Sequence, residues 1–379
     1  MCLEGMLLAM GNPLLDISAV VGSELLEKYG MKPNDAILAE KKHMPLYSEL
    51  TANYQVDYTA GGSSQNSVRV AQWILGQPNV CAYMGCVGKD EYSEILAKKA
   101  RDDGVMVLYQ YTTERPTGTC AVLVTANRTQ RSLCANLAAA ECFTIDHLQN
   151  PDVQKLLANA DYYYSSSFFL TVSLETILEV AQIALKRDKL FIMNLSAPFL
   201  CSIFSSQQME AFPYVDILFG NDEEAKTFAR EQDLGTEDVK EIALKMTTLP
   251  KQNPSRPRIV VITQGHLPVI LANGRFPFFP VLMGLKERLE LTKLLWITRC
   301  LNKRLLFVVE GKTTEYPVDL VPADKVVDTN GAGDAFVGGF LGQLIKGESY
   351  DKCIKCALWT ASQIIQRSGC TFEGKATFS

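Results

Sequence analysis

Short apolar runs alternate along the chain with segments whose apolar residues recur at helical spacing. The predicted buried strands, after a first strand over 6–10, are 80–86, 161–165, 191–195, 217–219 and 259–263. The predicted helices between them are 65–75, 91–103, 174–187, 223–230 and 238–248. Continuously apolar runs are typical of strands that are buried on both faces of a sheet. The pattern therefore predicts an α/β fold, with a doubly wound, mostly parallel sheet sandwiched by helices.

Three segments outside this pattern predict a second, smaller sheet. Residues 13–20, 34–60 and 116–137 alternate short polar and apolar stretches, which is typical of strands with one exposed face. We expect them to form a small antiparallel sheet that acts as a lid over a site in the larger sheet. The whole chain, 1–379, is then one α/β domain that carries a discontinuous lid.

Residues 266–309 form an atypical segment with many prolines, aromatic residues and basic residues. A loop of this length is unusual within a compact domain, so we interpret it as an insertion. Residues 267–285 are apolar enough to imitate a membrane span, but Arg275 and three prolines interrupt them. Such interruptions would leave polar groups without partners in lipid, so we expect no transmembrane helix.

Composition and charge narrow the class of protein. Hydrophobic residues make up 47% and charged residues 21% of the chain, as in ordinary folded proteins. A formal net charge of −5 does not favour binding to nucleic acid. Eleven cysteines without a regular spacing, and the lack of a secretory leader, predict reduced thiols in the cytoplasm. We also expect a monomer, because no long apolar edge stands out.

One cysteine pair has the spacing of a metal or redox motif. Cys353 and Cys356 form C-x-x-C, but they lie among apolar residues that recur at helical spacing. No second cysteine pair lies nearby. We interpret both residues as part of the core.

The strongest chemical signal is the run from Val327 to Phe340, whose sequence is VDTNGAGDAFVGGF. Its polar start and its two glycines predict a tight turn that leads into a helix. The start of a helix presents unpaired backbone amides, which bind phosphate. An acid in this turn, Asp334, suits a base that takes a proton from a hydroxyl group beside a transferring phosphoryl group.

The residues alone leave a second interpretation of this run open. Gly331 and Gly333 can serve only a tight turn, and the later glycines can serve only close helix packing. Two common nucleotide motifs are excluded. Leu306 stands where the Walker motif ending in Gly311-Lys312-Thr313 needs a glycine, and Phe336 breaks the dinucleotide fingerprint.

The run 328–339 resembles the anion-hole signature of the ribokinase-like sugar and nucleoside kinases. Six further stretches resemble that family in the same order, namely 11–20, 60–66, 116–120, 132–140, 194–199 and 219–221. The resemblance covers nearly the whole chain except residues 266–309. It implies a large α/β domain with a small lid, and a transfer of phosphate from ATP, with Mg²⁺, to the 5′-hydroxyl of adenosine.

The resemblance also implies roles for individual residues. Asp334 is the implied base, the anion hole is formed by Gly331, Ala332 and Gly333, and a lid arginine, Arg131, reaches the phosphates. The nucleoside sugar is held by Asn12, Asp16, Gly61, Gly62, Ser63 and Asn66. The purine is enclosed by Leu14, Leu38, Cys120, Leu133, Ala135, Phe168 and Phe199. The nucleotide side comprises Asn221, Thr263, Gly265 and Asn330, with Glu224 at the magnesium ion.

Several alternatives remain open at the level of sequence. The apolar residues could simply be core, and Asn221 with Glu224 has the spacing of an ordinary capping box. Ala36 departs from the family, which has glutamine beside the purine, so selectivity for the base could be looser. A kinase for another ribonucleoside or a sugar, and a non-catalytic nucleoside sensor, are the alternative functions. The presence of Asp334, Asn221 and Glu224 argues against the sensor.

Overall fold

The computed structural model describes residues 4–33, 36–125, 130–274 and 311–378. Its strands are β1 (Leu7–Met10), β2 (Leu14–Val20), β3 (Ala36–Leu38), β4 (Val56–Gly61), β5 (Cys81–Gly88), β6 (Met106–Thr112), β7 (Thr119–Thr125), β8 (Gln130–Asn136), β9 (Tyr162–Ser166), β10 (Leu190–Asn194), β11 (Ile217–Asn221), β12 (Ile259–Gln264), β13 (Leu267–Asn273) and β14 (Lys312–Tyr316). Its helices are α1 (Ser23–Lys28), α2 (Met44–Asn53), α3 (Ser63–Leu75), α4 (Glu91–Asp102), α5 (Pro151–Asn159), α6 (Leu174–Lys186), α7 (Pro198–Ile203), α8 (Ser205–Ala211), α9 (Asp222–Glu231), α10 (Val239–Thr248), α11 (Ala332–Ile345) and α12 (Tyr350–Ile364).

The main sheet contains nine strands in the order β14-β13-β12-β11-β10-β9-β1-β5-β6. All neighbours from β12 to β6 are parallel, and only β13 and β14 pair in antiparallel fashion at one edge. The prediction of a mostly parallel sheet is therefore confirmed. Helices join successive parallel strands, as the alternation of patterns along the chain requires.

The central strand β1 shows how both faces of the main sheet are buried. Leu8 and Met10 face a core that helices α5, α6, α9 and α10 cover, whereas Leu7 and Ala9 face a second core under α3, α4, α11 and α12. Successive side chains of a strand point to opposite faces, so an uninterrupted apolar run is required here. Burying each leucine contributes about 1.5–3 kcal/mol. Cys353 and Cys356 are buried on α12, which agrees with their interpretation as core residues.

The small sheet has five strands in the order β3-β8-β7-β2-β4. The pairs β2–β4 and β7–β8 are antiparallel, but β2–β7 and β3–β8 are parallel. The prediction of an antiparallel small sheet is therefore wrong for two of its four pairs. Between β2 and β7 the chain passes through strands of the main sheet, and it returns to the small sheet in the same direction, so β7 runs parallel to β2. Part of the predicted strand region 34–60 is the helix α2, whose buried Leu46 and Leu50 have helical spacing.

The start of the segment interpreted as an insertion, 266–309, contains a strand of the main sheet. Leu267 follows the turn at Gly265 directly and starts β13, which pairs with β12. The sequence of β13, LPVILAN, is an apolar run typical of a buried strand, although the proline at position 268 argues against a strand at the level of sequence. The remainder of the predicted insertion, 275–309, lies outside the described residues. No helix of the described ranges is long and apolar enough to cross a bilayer.

Candidate active site

A cavity of about 610 Å³ lies between the two sheets, at the carboxyl ends of the parallel strands. Five neighbouring strands of the main sheet contribute lining residues at these ends: Asn12 just after β1, then Ser166, Asn194, Asn221 and Thr263. The small sheet covers the cavity from the other side. In α/β sheets the carboxyl edge is where loops and helix starts converge, so ligands bind there.

Asp334 lies in the first turn of α11 and is held by two side chains from the first turn of α3. Ser63 Oγ donates to its Oδ1 at 2.6 Å, and Asn66 Nδ2 donates to its Oδ2 at 3.1 Å. Burial raises the pKa of Asp334 to about 6, and these two hydrogen bonds oppose the rise. The carboxylate is therefore ionised at neutral pH and more basic than an ordinary aspartate, which suits a general base.

Asp328 braces the glycine turn that precedes α11. Its Oδ1 accepts from the amide of Asn330 at 2.9 Å, and its Oδ2 accepts from the amide of Gly369 at 2.8 Å. Arg131 Nε lies 3.2 Å from the same Oδ2, and both side chains are buried. Burial raises the pKa of Asp328, whereas Arg131 and the two amides lower it. The sequence indicated only a helix entry for Asp328, because the partners at 131 and 369 lie far away in the chain.

Two of the three residues of the predicted anion hole line the cavity. Gly331 adopts a left-handed φ of +77° at the N-cap, which strongly favours glycine. The amide of Ala332 donates to the carbonyl of Thr329 at 3.3 Å, and Ala332 is not among the cavity-lining residues. Gly333 lines the cavity, and no atom lies within 4 Å of the position that a β-carbon would take there. The turn therefore presents its backbone to the cavity chiefly at Gly331 and Gly333.

Arg131 lines the cavity, as predicted for a lid arginine, but its guanidinium is engaged in this structure. It pairs with Asp328 and donates to the hydroxyl of Ser368. It thereby joins β8 of the small sheet to the turn before α11 and to the C-terminal segment.

Asp16 projects from β2 into the cavity. Burial raises its pKa to about 7; Arg69 lowers this pKa, and the nearby Asp334 raises it. Gly61 on the neighbouring strand β4 does not line the cavity. A β-carbon at this position would clash with the Asp16 carboxylate. Gly61 therefore provides room for Asp16 to take its position, whereas Gly62 is itself part of the lining.

Asn12 has a hydrogen-bond acceptor without a partner. Its Nδ2 donates to the carbonyl of Phe168 at 3.3 Å, whereas its Oδ1 is buried and has no partner among the described residues. A buried acceptor of this kind is rare in native proteins and is satisfied when a ligand donates to it. Together with Asp16, it gives the cavity an acceptor side that suits the hydroxyl groups of a sugar.

The seven predicted purine contacts all line one part of the cavity: Leu14, Leu38, Cys120, Leu133, Ala135, Phe168 and Phe199. The rings of Phe168 and Phe199 lie 6.2 Å apart at 51°. Ala36 also lines this wall, next to Leu133 across the β3–β8 pair. An apolar, partly aromatic wall beside acceptor groups suits a flat heteroaromatic base attached to a sugar.

Asn221 and Glu224 form a complete capping box at the start of α9. The amide and Nδ2 of Asn221 donate to the Glu224 carboxylate at 3.0 and 2.7 Å, and the Glu224 amide donates back to Asn221 at 2.8 Å. Burial raises the pKa of Glu224 to about 7, and Asp334 raises it further. Both residues line the cavity, so the cap fixes a carboxylate at its edge.

The side-chain oxygens of Asn221 and Glu224 suit a magnesium ion that is bound mainly by phosphates and water. Mg²⁺ prefers oxygen ligands and usually keeps several waters when one or two carboxylates hold it. Glu224 supplies such a carboxylate, and the described ranges contain no cluster of three or more acidic, histidine or cysteine side chains that could enclose a metal ion.

Of the three remaining predicted nucleotide contacts, two line the cavity and one does not. Asn330 and Thr263 line the cavity, but Gly265 lies in the turn between β12 and β13, outside the lining. Several other residues that line the cavity had no predicted role at the site: Ser166, Asn194, Ser196, Asp328, Gly369 and Cys370. Polar residues at the carboxyl ends of predicted strands, such as Asn194, are the signal that could have identified part of this set.

Comparison with known proteins agrees with this geometry. The model of the pfkB family carbohydrate kinases matches residues 23–281 and 304–376. Adenosine kinase 2 of Arabidopsis thaliana is 46% identical over 99% of this chain and 98% of its own length. The solved structures include Anopheles gambiae adenosine kinase, at 50% identity, a TM-score of 0.85 and 99% of each chain. They also include adenosine kinase from Schistosoma mansoni, at 30% identity, a TM-score of 0.82 and 98% of each chain. The relatives named here are all adenosine kinases, and the resemblance inferred from the motifs is confirmed. The chain belongs to the pfkB family of carbohydrate kinases.

Proposed function

We propose that this protein transfers the γ-phosphoryl group of ATP to the 5′-hydroxyl of adenosine, giving AMP and ADP. The observation that carries the proposal is the Asp334 carboxylate, held beside an open glycine turn at a helix start, in a cavity with an apolar wall. The similar structures support the substrate, because the Schistosoma mansoni enzyme is in complex with adenosine and AMP. The Anopheles gambiae enzyme is in complex with a diadenosine tetraphosphate, which joins two adenosines through a phosphate chain.

Adenosine binds with its base against the apolar wall and its ribose toward Asp16 and Asn12. Asp16 accepts hydrogen bonds from the vicinal hydroxyl groups, since an ionised carboxylate is a strong acceptor. The partnerless Oδ1 of Asn12 accepts a further hydroxyl. The small sheet then acts as a lid, and its closure excludes water that would otherwise compete with the 5′-hydroxyl.

Asp334 takes the proton of the 5′-hydroxyl as the oxygen–phosphorus bond forms and the bond to ADP breaks. Ser63 and Asn66 hold the carboxylate in place for this step. The backbone amides of the Gly331–Gly333 turn and the positive end of α11 stabilise the charge of the transferring group. Arg131 moves from Asp328 toward the phosphates when the lid closes.

The nucleotide side of the cavity completes the proposal. Asn221 and Glu224 would hold a magnesium ion at this edge of the cavity, and when bound it would neutralise charge on the phosphates of ATP. Thr263 and Asn330 lie toward the triphosphate, and Gly265 lies near the nucleotide at the end of β12.

The remaining expectations concern the whole protein. We propose one α/β domain with its lid, acting as a monomer in the cytoplasm. The nine described cysteines are free thiols, and all but Cys142 are buried, which suits a reducing compartment. A free sugar is a poorer candidate substrate than a nucleoside, because the apolar wall would remain uncovered.

The decisive experiment replaces the base without changing its shape. In Asp334→Asn, kcat should fall about 10²-fold or more, because a positioned base contributes on that scale. Adenosine affinity should fall much less than kcat, because the amide oxygen can still accept from Ser63 and only the contact with the NH₂ group of Asn66 is lost. Steady-state assays of ADP release and calorimetry with adenosine measure the two effects. Turnover within a few-fold of the unaltered protein would exclude Asp334 as the base.

A further inference from the structure

Arg69 is a buried cation that the mechanism above does not use. It lies on α3, one turn after Asn66, and is only 5% exposed. Its Nε lies 2.6 Å from the Asp103 carboxylate. Its Nη1 donates to the carbonyl of Ala60 at 2.8 Å, to Asn66 Oδ1 at 3.3 Å and to the carbonyl of Cys370 at 3.2 Å. One guanidinium therefore joins β4, the start of α3 and the C-terminal segment.

The guanidinium determines which way the amide of Asn66 points. A guanidinium only donates hydrogen bonds, so the amide atom that faces it must be the oxygen. The NH₂ group of Asn66 is then directed at Asp334 Oδ2, 3.1 Å away. A flipped amide would set its oxygen against the Asp334 carboxylate and its NH₂ group against Arg69. Both contacts would be repulsive, so Arg69 and Asp334 together allow one orientation.

The other contact of Arg69 reaches the glycine turn. Cys370, whose carbonyl accepts from Arg69, packs so close to Gly331 that a β-carbon there would lie 3.2 Å from Cys370 Cβ. The carbonyl of Ala60, the third acceptor, immediately precedes Gly61, beside Asp16. Arg69 thus contacts the supports of the catalytic turn and of the ribose-binding carboxylate without lining the cavity itself.

We propose that Arg69 is a positioning residue for the phosphoryl transfer, which orients the amide of Asn66 so that its NH₂ group holds the Asp334 carboxylate toward the substrate hydroxyl. This proposal rests on the proposed role of Asp334 as the base. Asn66 is the residue that contacts the base, and Arg69 acts through it.

The proposal has a consequence for the pH dependence of kcat. The hydrogen bond from Asn66 lowers the pKa of Asp334, so its loss raises that pKa and moves the acid limb of the kcat profile to higher pH. The other charged or titratable groups around Asp334 are not substituted in the variants below: Asp16 on β2, Arg131 on β8, Tyr164 on β9, Glu224 on α9, and Asp328 and Cys370 beside the turn. Arg69 also lowers the pKa of Asp16, so its loss raises that pKa as well, and Asn66→Ala, which keeps Arg69, is the variant that tests Asp334 separately.

A double-mutant cycle tests the proposal, with kcat measured from pH 5 to 9 for Arg69→Met, Asn66→Ala and the double variant. Each single change should move the acid limb upward and lower kcat at pH 6 by about tenfold, as expected for a lost hydrogen bond to a charged group. The double variant should be no worse than the more severe single variant, because both changes remove one interaction. Additive losses, or an unmoved limb, would overturn the proposal.

Conservative variants keep the test decisive if Arg69→Met folds poorly. Arg69→Lys retains a side chain that only donates, so its acid limb should stay close to that of the unaltered protein. Arg69→Gln loses the charge but can still donate its NH₂ group to Asn66, so its limb should lie between those of Arg69→Lys and Arg69→Met. A displaced limb in Arg69→Lys, which keeps a side chain that only donates, would contradict the proposal.

A control and a reference variant separate this test from that of the proposed function. Arg256→Met removes an ion pair with the buried carboxylate of Asp216, and neither residue lines the cavity. This variant should lower Tm without moving the acid limb of the kcat profile. Asp334→Asn is measured in the same series. If it turns over normally, the assigned base is wrong; if it is inactive while the Arg69 variants keep the original limb, only the role of Arg69 is wrong.

Discussion

Three of the carboxyl groups that line the cavity have a pKa raised to about 6 or 7, and the cause is common to them. Burial is the first reason that the pKa values of Asp16 and Glu224 rise to about 7 and that of Asp334 to about 6. Asp334 raises the pKa of each of the other two. The folded state therefore binds these protons more tightly than the unfolded chain does. Their contribution to stability is complete below about pH 4 and is lost as pH rises through about 6 to 7. Such a cluster costs stability at neutral pH and is typical of functional sites.

Asp16→Asn should therefore raise stability and weaken binding in the same protein. Without ligand, Tm should increase at pH 8, where the unaltered protein ionises a buried carboxyl, and the gain should shrink toward pH 4. Calorimetry should show weaker adenosine binding, because the amide is a poorer acceptor for two hydroxyl groups. Asp57→Asn is the control, an exposed aspartate on the adjacent strand β4, for which no change in Tm is expected. A Tm gain that is equal at pH 4 and pH 8 would contradict the electrostatic explanation.

Two glycines with nearly the same backbone angle allow the glycine turn to be tested. Gly331 has φ +77° and Gly347 has φ +78°, but only Gly331 touches the cavity. Alanine in this region costs about 1–2 kcal/mol through backbone strain, so both substitutions should lower Tm by similar amounts. Only Gly331→Ala should lower kcat, because its β-carbon would also press on Cys370. Equal activity of the two variants would show that the turn does not act in catalysis.

At the level of elements, long periodic segments were predicted well and short edge elements were not. Predicted helices such as 91–103 agree with the structure within two residues at each end, because their amphipathic pattern is local. The edge strand β14, with the sequence KTTEY, has no apolar run, and its place is set by pairing with β13. The strand β6 at the opposite edge is only partly buried, and Gln110 and Thr112 interrupt its apolar pattern.

The site follows the same division between local and distant information. Asp334 and the glycine turn lie within one motif, and the resemblance to a family supplied most of the lining. The contacts that position them connect distant parts of the chain. Gly369 reaches Asp328 across 41 positions, and Cys370 reaches Arg69 across 301. No periodicity or spacing in the sequence reports such pairs, so the role of the C-terminal segment emerges only from the fold.

The N-terminus of α9 combines a structural cap with a proposed role at the nucleotide, and the two can be separated. Asn221→Ala and Asp238→Ala each remove a side-chain cap, from α9 and α10. Both should lose about 0.5–2 kcal/mol of stability, the usual value of a cap. Only Asn221→Ala should raise the KM for ATP and the magnesium concentration needed for half-maximal rate, because Asp238 is not among the cavity-lining residues. Equal magnesium dependence in the two variants would leave Asn221 as a cap alone.

At the scale of the whole molecule, the cavity exists because two sheets of different size face each other. Strands β2, β7 and β8 supply Asp16, Cys120 and Arg131 from the small sheet, and the main sheet supplies the helix starts. The Arg131–Asp328 pair joins the small sheet to the turn before α11, which lies on the main-sheet side of the cavity. A ligand that fills the space must therefore contact both sheets, and its binding energy is available to hold them together.

Hydrogen exchange can show whether adenosine couples the two sheets. At 100 times its Kd, a ligand stabilises the binding state by about 2.7 kcal/mol, which slows exchange about 100-fold in segments that open with the site. We expect this protection in β2, β7 and the first turn of α3, which contact the cavity from both sides. The edge strands β13 and β14 should exchange at the same rate with and without ligand, because they contribute no lining residue. Ribose lacks the base that packs on the apolar wall, so the same concentration should protect β2, β7 and the first turn of α3 much less than adenosine does. Protection by ribose equal to that by adenosine would mean that the apolar wall does not hold the base.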